Sequence, residues 1–173
     1  MSTAEGLRFR SIAVPGVLSI TILLSIVGAS AQEHRATLDA ENAKAIVAGC
    51  ERYASDSGIS VAIAVVGPGG ILTALLRMDG VVPGAVEVAI WKARSSSSLG
   101  MSTADLASLA EETPAIATVP GVAAIAGGVP ILSADGVLIG GVGVSGASKD
   151  QDVACALAGL DDASLNKDEE KSQ

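Results

Sequence analysis

Two pairs of apolar, β-branched runs, each pair joined by a short glycine-containing turn, constrain this chain more than any other feature. Residues 59–66 lead through Gly67-Pro68-Gly69-Gly70 into residues 71–76, and residues 129–133 lead through Ala134-Asp135-Gly136 into residues 137–144. Runs this close in sequence read as β-hairpins. Strands joined by tight turns are antiparallel, because parallel neighbours need a crossover of about a dozen residues or more. A doubly wound nucleotide-binding fold is thereby excluded.

Helical signals flank both hairpins. Thr37 or Asp39 caps a first helix on which Ala43, Ile46, Val47, Cys50 and Ala54 recur at helical spacing, and Gly58 ends it. Pro83-Gly84 precedes a second helix, with Val86, Ala89, Ile90 and Ala93 on one face and Lys92 to its side; the serines 95–98 weaken its end. Ser102 opens a short helix with Asp105 at the capping-box position, closed by Pro114. Ser148 and Gln151 form a capping box ahead of Val153, Ala156, Leu157 and Leu160. The order helix, hairpin, helix, short helix, hairpin, helix predicts an α+β domain, an antiparallel sheet of two hairpins flanked by helices.

Only 2% of the 173 residues are aromatic, against 20 glycines. A core of Ala, Val, Ile and Leu must then be made by close approach of backbones. The N-terminus reads as a leader: Arg8 and Arg10 are basic, residues 12–27 are apolar and uncharged, and Ala29-Ser30-Ala31 is a cleavage signal. A signal peptide at 1–31 predicts a secreted or periplasmic domain at 32–163, followed by a disordered charged tail at 164–173. An uncleaved membrane anchor is the alternative for the same apolar run. The formal net charge of −8 argues against nucleic acid as a partner and, once the leader is cleaved, against stable membrane insertion.

Five separated motifs follow one another in order: Arg77-Met78-Asp79-Gly80; Lys92-Ala93; Gly127-Gly128-Val129-Pro130-Ile131; Ile139-Gly140-Gly141-Val142-Gly143-Val144-Ser145-Gly146; and Gln151-Asp152-x-x-Cys155-Ala156. This pattern resembles the GlcG/HbpS-like family of haem-binding proteins, and also the C-terminal domain of some cobalamin adenosyltransferases. The resemblance spans residues 38–160. It implies a profilin-like fold, a homo-oligomer such as an octamer, and haem as the ligand, bound or degraded.

Among the motif residues, Gly127, Gly128 and Ser145 are candidate ligand-binding residues, and close packing and turns are the structural alternative for the two glycines. Arg77 and Asp79 at a strand end either orient a polar ligand group or pair to pin a loop. Lys92 either meets a ligand carboxylate, such as a haem propionate, or lies on a solvated helix face. Ser145 lies in a glycine-flanked turn without a histidine to act as its base. His34 is the only histidine of the chain, which excludes a Ser-His-Asp triad, a multi-His zinc site and bis-His haem ligation within one subunit. His34, Tyr53 and Met78 remain as candidate iron ligands. Cys50 and Cys155 fall on apolar helix faces and read first as two buried free thiols, with a disulfide between the first and last helices left open. Two functions follow: an exported binding protein for haem or a related small acidic ligand, using Arg77, Asp79 and Lys92, or an enzyme acting on a small organic acid with Asp79 or Lys92 as acid or base.

Overall fold

Capping and turn chemistry set the elements of the chain, whose computed structural model describes residues 37–163. The expected leader, His34 and the charged tail lie outside the described residues. The Asp39 side chain accepts from the Asn42 N–H at 2.7 Å and opens α1, Ala40–Asp56. β1, Ala62–Val66, starts three residues later than the apolar run, because the Ile59 N–H still donates to the Ala54 carbonyl of the helix end. The turn into β2, Leu72–Arg77, places Gly69 and Gly70 at φ of 74° and 73°, a left-handed backbone that glycine adopts without strain. Next come α2, Gly84–Leu99; α3, Thr103–Glu112, capped by Ser102; β3, Gly128–Leu132; β4, Leu138–Ser145; and α4, Lys149–Asp162, with the Ser148–Gln151 capping box formed.

Both expected hairpins are present, and they lie side by side through β1 and β4 in a four-stranded antiparallel sheet of order β2-β1-β4-β3. Alternation along β1 divides the core between its two faces. Ile63 and Val65 join Ile46 and Cys50 of α1 and Cys155 and Ala156 of α4, while Ala62, Ala64 and Val66 join Ala85, Ala89, Ile90 and Ala93 of α2. The fold is α+β, with α1 and α4 on one face of the sheet and α2 on the other.

Glycine sets how closely these layers meet. A Cβ on Gly143 or Gly141 would run into the carbonyl oxygens of Ala89 and Ala93, and one on Gly128 would lie 2.6 Å from the carbonyl of Lys92. On the other face Gly159 meets the backbone of Ile46, so α1 and α4 touch. That approach brings the Cα atoms of Cys50 and Cys155 to 4.6 Å, and the two are joined in a disulfide rather than left as free thiols.

One expectation for α2 is corrected. Its buried stripe includes Ala85, Ala89, Lys92, Ala93 and Ser96, so Lys92 lies within the covered face and not on a solvated one. The serines expected to weaken its end lie within the helix, which runs on to Leu99, and two of their hydroxyls are used inside the fold. Ser95 accepts from the Ala123 N–H at 2.8 Å and Ser97 donates to the Gly67 carbonyl, each tying a loop onto α2. Among the described residues, no helix is long and apolar enough to cross a membrane.

Candidate functional site

Register places most of the sequence-derived candidates at one end of the sheet. Ala62 lies opposite both Arg77 of β2 and Ser145 of β4, and Gly128 of β3 lies opposite Gly143. The Val144 N–H donates to the Gly127 carbonyl at 2.9 Å, which binds the Gly127 loop to the same end. Arg77 and Asp79 are exposed, and neither pairs with the other or with any other described side chain, so no Arg–Asp pin holds that loop. Ser145 is buried at the end of β4. Of the candidate iron ligands, Tyr53 packs against the core beneath α1 and Met78 touches the clusters on both faces.

Lys92 meets a carboxylate of its own chain. Its Nζ donates to the Val144 carbonyl at 2.8 Å and to Oδ2 of Asp152 at 2.9 Å, and the two side chains are 2% and 4% exposed. The second carboxylate oxygen of Asp152 accepts from the Ala147 N–H at 3.2 Å. Burial pushes the Asp152 carboxyl above its ordinary value, opposed by the hydrogen bond and charge of Lys92 and by the Ala147 N–H. Gly127, at φ 121°, closes over the pair; a Cβ there would lie 2.8 Å from Nζ of Lys92 and 2.9 Å from Cβ of Asp152. Sequence reasoning missed Asp152, although a signal was present: it stands three and four residues before Cys155 and Ala156, on the buried stripe of α4. A carboxylate on such a stripe calls for a buried cation.

Thr103, at the start of α3, is the other missed residue; its hydroxyl accepts from the Gly128 N–H at 2.7 Å. With Ser95 holding Ala123 and Thr103 holding Gly128, the segment between them spans a cleft of about 550 Å³. Ala124, Ile125 and Ala126 form one wall, Ala104, Ala107, Ser108 and Glu111 of α3 a second, and Lys149, Asp150 and Val153 of α4 a third. The lining is mostly apolar, with one cation and two carboxylates. Among the described residues, no group of three or more His, Cys, Asp or Glu side chains gathers to hold a metal ion.

Residues 38–161 match the model of the HbpS-like haem-degrading proteins. The chain belongs to this HbpS-like family. Protein GlcG of Escherichia coli K12 is 37% identical over 109 residues, covering 62% of this chain and 81% of GlcG. The crystal structure of HbpS matches with a TM-score of 0.70 at 33% identity, over 73% of this chain and 89% of HbpS. The structure of PduOC in complex with haem matches with a TM-score of 0.67 at 23% identity, over 73% of this chain and 94% of that one, a likeness of fold. The four-stranded antiparallel sheet and its helices are thus the HbpS-like fold.

Proposed function

We propose that this HbpS-like protein is an exported, oligomeric binder of haem, or of a related planar, acidic molecule, and that the ligand enters the cleft between α3, α4 and residues 124–126. The cleft carries the reading. Its volume of about 550 Å³ is within the range of small-molecule sites, roughly 300–1,000 Å³. The alanines, Ile125 and Val153 suit the faces of a porphyrin, and Lys149 suits a propionate. Haem would supply the redox chemistry, and its degradation, in the family's description, is the reaction such binding serves. The alternative enzyme on a small organic acid depends on Asp79 alone, since Asp152 occupies Lys92.

Export is supported by the leader-like N-terminus together with the disulfide, a bond that persists in oxidising compartments. Mass spectrometry of the exported protein is expected to find Gln32 first; retention of Met1 opposes this. Assembly is supported by apolar side chains left at the surface, among them Ile71, Val82 and Trp91, and light scattering at micromolar concentration is expected to report more than a monomer. The binding claim is tested by titrating the purified protein with haemin. A shifted Soret band is expected, with quenching of Trp91, the single tryptophan. Lys149→Glu is expected to weaken binding at least tenfold. Binding kept in Lys149→Glu and lost in Arg77→Glu would move the site to the exposed end of β2.

A further inference from the structure

Two walls of the cleft belong to segments distant in the chain, and the same buried pair touches both. Lys149, Asp150 and Val153 belong to the first turns of α4, where Asp152 sits, and Asp152 also fixes the entry to that helix through the Ala147 N–H. Ala124, Ile125 and Ala126 run directly into Gly127, which closes over the ammonium of Lys92 with no room for a Cβ. Lys92 holds the Val144 carbonyl, and the Val144 N–H holds Gly127. We propose that the Lys92–Asp152 pair is the positioning element of the cleft, setting the distance between residues 124–126 and the first turns of α4 without touching the ligand. This rests on reading the cleft as the ligand site.

The chemistry favours positioning over stabilisation. A buried ion pair gains little over apolar side chains of the same volume, because desolvating both charges offsets most of their attraction. The upward displacement of the Asp152 carboxyl reports that same desolvation. What the pair adds is direction: three hydrogen bonds of defined geometry converge on one point from α2, β4 and the start of α4. An apolar replacement would fill the space and leave the two walls free to slide.

The test compares the parent with the Lys92→Met/Asp152→Leu double variant and with the near-isosteric Asp152→Asn. The double variant is expected to keep the parent's circular dichroism and thermal midpoint while its haemin affinity falls at least tenfold. Unchanged affinity in that folded variant would overturn the proposal. Amide hydrogen exchange without ligand supplies a second readout. Both variants are expected to exchange faster at residues 124–126 and 149–153 together, with β1 unaltered. Unaltered exchange at the two walls would overturn it even if the double variant is poorly folded, since Asp152→Asn alone then decides. A parent that binds no haemin sinks the haem reading, and the exchange measurement still judges the positioning role.

Discussion

Ser95 and Ser96 are neighbours on α2, both removed from solvent, but among the described residues only the Ser95 hydroxyl finds a hydrogen-bond partner. The Ser95 hydroxyl accepts from Ala123 and donates to the Gly121 carbonyl, whereas Oγ of Ser96 is buried without a partner among the described residues. Removing a satisfied buried hydroxyl strands the groups it served, while removing an unsatisfied one relieves a desolvation cost. Ser95→Ala is expected to lower stability by about 1–3 kcal/mol, and Ser96→Ala to be neutral or mildly stabilising, as read from urea midpoints. Asp152 gives a pH prediction of definite sign. Its carboxyl is held above the ordinary value of 3.8 in the folded protein, so the folded state binds the proton more tightly than the unfolded chain does. This group's share of stability is therefore fully present below that value and is lost as pH rises through the higher folded one. Denaturation of the parent across that range should show the decline, and Asp152→Asn should lack it; a parallel pair of curves would count against the assignment.

Between elements, the contact that most shapes the fold is backbone on backbone. Gly143→Ala would drive a methyl into the Ala89 carbonyl and lift α2 from β4, at an expected cost of about 3 kcal/mol. Gly84→Ala, at the open start of α2 with nothing nearby, is expected to stabilise by about 0.5 kcal/mol. Equal effects at the two positions, measured by chemical denaturation, would deny glycine its role in layer spacing. Hairpins and helix caps were legible in the sequence because their signals are local: Gly69 and Gly70 in a turn, Asp39, Ser102 and Ser148 at caps. The apolar part of the buried face of α2, Ala89, Ile90 and Ala93, was legible too, whereas its extension to Lys92 and serines 95–97 was not, since polar side chains give no contrast for hydrophobic periodicity to show. The site was half legible. Lys92 was singled out, but its partner is 60 residues away, and nothing local to Lys92 points to α4. The cleft itself arises from three separated segments, a juxtaposition that only the folded chain contains.

For the molecule as a whole, the disulfide between α1 and α4 joins the first described helix to the last. Replacing both cysteines by alanine is expected to cost up to about 5 kcal/mol, the loss for opening a loop of this size; a thermal scan showing no change would mean that the α1–α4 contact alone holds the layer. The same bond governs how the protein bears load. Tension applied to the two chain ends would travel through the sulfur bridge and leave everything between Cys50 and Cys155 slack, hairpins and cleft included. With 105 residues of separation, reduction would release roughly 350 Å of additional contour length at about 3.3–3.6 Å per residue. An optical-trap trace should therefore show a long extension step only after a reductant is added, which makes the oxidised domain a covalent link of nearly fixed length in any assembly that pulls on it.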